Sequence, residues 1–319
     1  MPSILPFLPS ILSLSLLLLF SVVNSQTNFT TYINVELSHG GIIRGVEETV
    51  NNDGVPIQVN RFLSIPYALP PVGKLRFAPP IEHPGWNGIR DATKLSATCW
   101  QYIFTGFDSV NPAGRMWINN TEMNEDCLYL NVWQPTNSVN ARQPLPVMVW
   151  IYGGGFTSGS ANLQVYNGAI LAATQNVIIV SMQYRVGAFG FLRLDPSLDN
   201  NIALGNQGIL DQYMALLWVK NNIQRFNGDP NQVTIFGESA GAVSISILWL
   251  SPLVQPYFKR AILQSGSLYA RWGLDEPYEA HEKAVEKPHP AKTKLLEKLQ
   301  LQVDDRLISV RKPFKTRKY

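Results

Sequence analysis

Cysteine, histidine and net charge are all scarce in this 319-residue chain. It holds two cysteines and four histidines, and its 26 Lys+Arg stand against 23 Asp+Glu. A balance of +3 gives no electrostatic reason to expect an acidic partner, so no nucleic acid is assigned. Two cysteines allow at most one intrachain bridge. Beyond the first two dozen residues no run is long and apolar enough to cross a bilayer, so no stable membrane insertion is expected. There is no internal repeat. The charge is also unevenly placed: residues 283–319 carry 11 of the basic and 4 of the acidic side chains. That stretch is therefore +7 and the remainder −4. The break marks residues 286–319 as a basic tail, read as poorly ordered although Leu295, Leu296 and Leu299 could form one short helix.

What is present begins with a secretory signature. Ile11 to Val23 is apolar apart from serines, although no Lys or Arg precedes it. Val23 and Ser25 are small residues at the −3 and −1 positions of a cut after Ser25, which gives a mature chain starting at Gln26. An extracellular destination makes Asn28 (in Asn28-Phe29-Thr30) and Asn119 (in Asn119-Asn120-Thr121) glycosylation acceptors. In an oxidising compartment Cys99 and Cys127 are either bridged or two buried thiols; a bridge would contribute roughly 3–4 kcal/mol in the chain-entropy view.

Residues 26–146 are rich in Pro, Gly and Asn and read as extended segments and loops of weak periodicity. The pattern then changes. Val147 to Tyr152 and Val177 to Met182 are continuous apolar runs, the mark of strands buried on both faces. Leu210, Tyr213, Met214, Leu217 and Trp218 recur at helical spacing. Gln232 to Phe236 reads as a strand, Ala240 to Leu250 as a helix stopped by Pro252, and Arg260 to Leu263 as a short strand. This alternation predicts an α/β fold with a mainly parallel central sheet.

Two motifs carry chemistry. Gly237-Glu238-Ser239-Ala240-Gly241 lies between a predicted strand and a predicted helix and fits a G-x-S-x-G nucleophile elbow, in which a sharp turn presents the serine oxygen while the glycines allow close packing. Gly153-Gly154-Gly155-Phe156 follows an earlier strand. Glycines there let backbone N–H donors approach a developing oxyanion, with Gly154, Gly155 and Ala240 as the donors. The chemistry calls for no cofactor and no metal, and its partner is a small-molecule ester.

The chain also resembles the type-B carboxylesterases, the family of α/β-hydrolases that includes the cholinesterases. The resemblance rests on Ile65-Pro66-Tyr67-Ala68, Pro70 to Phe77, Glu125 to Trp133, Tyr184 to Phe191, Asn227-Gly228-Asp229-Pro230 and Ala261 to Gly266. It covers roughly residues 40 to 285, so residues 26–285 are read as the N-terminal portion of such a domain. It implies that Ser239 is the nucleophile, that the donors are as above, and that Cys99 pairs with Cys127. It further implies that Trp117, inside the cysteine loop, binds a quaternary ammonium group by cation–π attraction. Glu238 would add negative potential beside the nucleophile, Trp272 would line the acyl pocket, and Tyr102 matches a rim tyrosine. Ile103 and Phe104 depart from the pattern, which has an aspartate there.

A serine needs a base, and the base an orienting carboxylate. The family places both far downstream of the serine. His39 and His83 precede the serine, no family motif surrounds His281 or His289, and none of the four is assigned. The expected function is a secreted serine hydrolase of carboxylic esters working through an acyl-enzyme, with choline esters among the candidate substrates. The alternatives are a non-catalytic cholinesterase-like adhesion or binding protein, or an inactive truncated product.

Overall fold

The computed structural model describes residues 30–102, 111–137, 143–194 and 203–285. The expected signal segment, Asn28, Ile103, Phe104 and the basic tail with His289 lie outside the described residues. The compact unit that begins at Tyr32 carries everything below.

Strands β1 (Tyr32–Glu36), β2 (Ile42–Asn52) and β3 (Val55–Pro66) pair antiparallel. Asp53 and Gly54 join β2 to β3 with φ of 50° and 87°, the two left-handed residues that a tight hairpin needs to match the strand twist. Strand β4 (Ile89–Asp91) adds to β2 in parallel. Strands β5 (Thr98–Cys99) and β6 (Met123–Asn124) form a separate ribbon. Strand β7 (Tyr129–Pro135) returns to the main sheet, antiparallel to β3. Then come β8 (Leu145–Ile151), β9 (Ile178–Met182), β10 (Gly228–Glu238) and β11 (Arg260–Gln264).

The sheet runs β1-β2-β3-β7-β9-β8-β10-β11. The pairs β9–β8, β8–β10 and β10–β11 are parallel, whereas β7 meets β9 antiparallel. The sheet is thus mixed. The parallel expectation describes its last four strands, and the weakly periodic N-terminal region supplies the antiparallel part.

Helices α1 (Ala169–Gln175), α2 (Gln207–Asn222) and α3 (Ala240–Leu250) make the three parallel crossovers, and α4 (Pro277–Val285) follows β11. Alternation along the strands assigns the helices to faces. Ile179 of β9 packs with Trp133, Val59, Leu63 and with Ala169 and Ala172 of α1. Its neighbours Ile178 and Val180 join Val147, Val149, Ile151, Leu216 and Val219 of α2 and Ile245 and Leu248 of α3. Helix α1 therefore covers one face, and α2 and α3 the other. This is why β9 is buried along its whole length and reads as an uninterrupted apolar run. Among the described residues, no helix is long and apolar enough to cross a membrane.

One charged pair is sealed inside. Arg185 and Asp211 have side chains 3% and 0% exposed. The guanidinium donates through Nε and Nη2 to the two carboxylate oxygens at 2.8 and 2.7 Å, the Arg185 amide donates to Oδ2 at 3.0 Å, and Nη1 donates to the Ala78 carbonyl at 2.8 Å. The pair joins the segment after β9 to α2, and it is tolerated because each guanidinium nitrogen and both carboxylate oxygens have a partner. Arg185→Ala should cost about 3–5 kcal/mol, because it strands a buried carboxylate. Arg185→Met with Asp211→Leu should cost less than the single change. Urea unfolding of the three proteins checks this, and a single variant no worse than the double would contradict it.

Candidate active site

The site is built where two chain directions part. From β8 the chain crosses to β9 on one side, and from β10 it crosses to β11 on the other. Adjacent parallel strands that diverge in this way leave a crevice at their carboxyl ends. The two motifs read from the sequence both lie there, directly after β8 and β10.

One residue, Ser239, separates the end of β10 from the start of α3. It has φ 56° and ψ −121°, a conformation that costs a non-glycine residue about 1–3 kcal/mol unless its surroundings enforce it. They do so closely. The Ser239 amide donates to the Gln264 carbonyl of β11 at 2.9 Å, and its own carbonyl accepts from the Val243 amide at 3.0 Å. The flanking glycines are needed for proximity. A Cβ on Gly237 would lie 2.5 Å from the Ile151 carbonyl oxygen at the end of β8, and one on Gly241 would run into the same oxygen.

The glycine loop is pressed against this turn from the other strand. A Cβ on Gly153 would lie 2.6 Å from the Glu238 carbonyl oxygen and 2.9 Å from the Ser239 Cβ. Gly154 and Gly155 are exposed, with φ of 118° and 61°. The Gly154 carbonyl accepts from the Thr157 and Ser158 amides, each at 3.1 Å. In a trans peptide the N–H points opposite to the C=O. Holding the Gly154 carbonyl toward residues 157 and 158 therefore turns the Gly155 N–H the other way. The Gly154 and Gly155 amides have no protein acceptor among the described residues. Ala240 opens α3, so its N–H is one of the donors a helix leaves without an internal partner.

A row of aromatic rings leads away from the elbow. Phe236 of β10 lies 4.9 Å from Trp150, Trp150 lies 5.0 Å from Tyr166, and Tyr166 lies 6.3 Å from Trp117, centroid to centroid. Burial, and after it the charge of Glu238, pushes the Tyr166 hydroxyl up to about 12. Tyr166 thus touches the candidate cation-binding Trp117 and is influenced by the carboxylate beside Ser239. Trp117 is 42% exposed. Trp272 is more exposed and lies in the segment after β11, where the next residue, Gly273, packs on Val243 of α3. Tyr102 is half exposed.

The Trp117 loop is closed by a Cys99–Cys127 disulfide spanning 28 positions. Its inner side is tied to the segment after the glycine loop. Gln101, almost fully buried, donates to the Gly159 carbonyl at 2.7 Å and accepts from the Gly159 amide at 2.8 Å. The Thr98 hydroxyl contacts those of Thr121 at 2.8 Å and Ser160 at 2.9 Å. Sequence reasoning found neither Tyr166 nor Gln101. The only hint is that Gln101 sits two positions after Cys99. Asn119 is half-buried on the same loop.

Among the described residues no histidine is hydrogen-bonded to Ser239. His39 approaches Glu82 at 3.9 Å. His83 accepts from the Gly85 amide and stands edge-on to Trp86. Its pKa is lowered by burial and then by Arg90. No group of three or more metal-ligating side chains occurs among the described residues.

A mixed sheet with a serine on a one-residue strand-to-helix turn, beside the crevice where the crossovers diverge, is the α/β-hydrolase fold. A model of the Carboxylesterase family matches residues 30–313, and the chain belongs to that family. It is 50% identical over 224 residues to the acetylcholinesterase of Electrophorus electricus, covering 70% of this chain and 34% of that protein. It is 53% identical over 211 residues to the acetylcholinesterase of Danio rerio, covering 66% of this chain and 32% of that protein. The chain thus spans about a third of the length of these curated relatives.

Gln101→Ala should unpair both polar groups of Gly159. The expected loss is about 1–3 kcal/mol on denaturation, with faster amide exchange at Gly159. An unchanged midpoint with unchanged exchange would show that Gln101 does not anchor this segment.

Proposed function

We propose that the chain carries the nucleophile and oxyanion hole of a secreted carboxylic-ester hydrolase, cholinesterase-like in recognising a cationic alcohol group. The observation that carries this reading is the left-handed Ser239, packed against Gly153 and flanked by two glycines that lie against the Ile151 carbonyl. In the reaction the Ser239 Oγ adds to the ester carbonyl carbon as its proton passes to a base. The carbonyl oxygen becomes an anion facing the Gly154, Gly155 and Ala240 N–H groups. Collapse expels the alcohol, protonated by the base, and leaves an acyl-serine that water hydrolyses by the same steps. Trp117 would hold the cationic part of the alcohol, Glu238 would add negative potential, and Trp272 would bound the acyl side. Secretion, a cut after Ser25 and glycans on Asn28 and Asn119 belong to the same reading.

The second reading is a non-catalytic binding protein of this fold. It would keep the same Ser239 turn and aromatic row, and differs in predicting no turnover even when a base is supplied.

Two measurements bear on these readings. The 319-residue chain should hydrolyse an activated ester barely above background. Loss of the base alone costs about 10⁶ in kcat, while the oxyanion hole and binding retain roughly 10³–10⁴ over water. Ser239→Ala should change that residue of activity little. In a longer polypeptide that supplies a base and its carboxylate, the same substitution should abolish turnover and fluorophosphonate labelling. Labelling that persists in Ser239→Ala would remove Ser239 from the mechanism, and fast Ser239-dependent turnover by the 319-residue chain would mean that one of its own histidines serves. Separately, Trp117→Ala should weaken a quaternary ammonium inhibitor by about 0.5–2 kcal/mol. Equal weakening of a neutral inhibitor of the same shape would reduce Trp117 to a packing surface.

A further inference from the structure

A cavity of about 190 Å³ lies apart from Ser239 and the glycine loop. Its walls come from β3 and β7, from Leu95 ahead of β5, from the Trp117 loop at Asn120, and from residues 161–167. That volume far exceeds the roughly 10–15 Å³ a single water needs. It falls short of the roughly 300–1,000 Å³ typical of sites for drug-sized ligands. It suits one small ring. The lining is divided in character. Leu63, Leu95 and Leu163 are apolar, whereas Asn120 and Gln164 present side-chain amides. Trp133, also in the lining, is only 3% exposed, and its indole nitrogen is sealed from solvent, so it contributes ring surface and not a donor. Amides, the Arg61 side chain and apolar walls together match a pyranose with an acetamide: hydroxyls and a carbonyl for the polar groups, C–H faces and a methyl for the leucines.

A source for such a ring is covalently adjacent. Asn119 precedes the lining residue Asn120 in the acceptor triplet. The two other members of the triplet are held in place. Asn120 Nδ2 donates to the Asn162 carbonyl at 2.7 Å, and the Thr121 hydroxyl accepts from Asn162 Nδ2 at 3.2 Å. The Asn119 side chain makes no hydrogen bond among the described residues, which leaves its amide available for modification.

We propose that Asn119 is glycosylated and that the first N-acetylhexosamine of this glycan seats in the cavity, bracing the Trp117 loop against β3, β7 and residues 161–167. The proposal rests on the secretory reading above. The test uses the chain secreted from a eukaryotic host. Glycopeptide mass spectrometry should find Asn119 occupied. Endoglycosidase trimming to the single innermost sugar should leave the melting temperature unchanged, whereas Asn119→Gln should lower it by about 2–4 °C. In the trimmed protein, the acetamido methyl of that sugar should give nuclear Overhauser contacts to the Leu95 and Leu163 methyls. Gln164→Ala, which keeps the acceptor triplet, should weaken those contacts. An unoccupied Asn119 on secreted protein overturns the proposal alone. So do missing Overhauser contacts, even where the melting temperature falls. Retention of Met1 with no secretion overturns the secretory reading and this proposal together.

Discussion

The carbonyl oxygen of Ile151 occupies space that a Cβ on Gly237 or Gly241 would need. This contact sets the distance between β8 and the β10–α3 turn, and the rest of the site inherits that distance. Gly153, two residues after Ile151, meets Glu238 and Ser239 for the same reason. A methyl group at any of these glycines would push apart the two strands that bring Ser239 and the glycine loop together. The glycines of the two motifs are thus one constraint written twice, on separate strands more than 80 positions apart.

The strain at Ser239 is small beside what surrounds it. A left-handed serine costs about 1–3 kcal/mol, and each fully buried aliphatic side chain contributes roughly 1.5–3 kcal/mol. Val149 and Ile151 of β8, Ile235 of β10 and Ile245 of α3 are all fully buried around the turn. The elements on either side of Ser239 are therefore held far more firmly than one unfavourable φ can disturb. The bond from its amide to Gln264 adds direction, because β11 then fixes the turn from the side opposite β8.

What was legible in the sequence was local. The G-x-S-x-G and glycine-loop motifs, the β8 and β9 runs and the α3 pattern each leave a short contiguous pattern in the chain, even where the contact behind the glycines is long-range. The N-terminal half was read as extended segments and loops for a physical reason. Its outer strands are half exposed, as the alternating burial of β1 shows. The pairing of β3 with β7 also shifts register between Phe62 and Ile65, so Phe62 and Leu63 are both buried and the two-residue period breaks. The Asp53-Gly54 pair, a short-range hairpin signal that the reading as extended segments and loops does not use, marks the β2–β3 turn. Tyr166 and Gln101 were invisible because what gives them a role lies across the fold. Tyr166 is 72 positions from Glu238, and Gln101 is 58 from Gly159.

Those two residues also show how recognition and chemistry are joined in this structure. Gln101 and Thr98 sit beside Cys99 at one end of the Trp117 loop, and their partners Gly159 and Ser160 continue the chain from the glycine loop. Tyr166 stands a few residues further on, its ring against Trp117 and its hydroxyl pKa raised by burial and then by the charge of Glu238. The disulfide loop at Cys99 and the segment after the glycine loop are tied through the same few buried hydrogen bonds, so the wall proposed to bind a cation and the amides proposed to meet an oxyanion share one scaffold. Its precision depends on buried hydrogen bonds remote from Ser239 as much as on the motif around it.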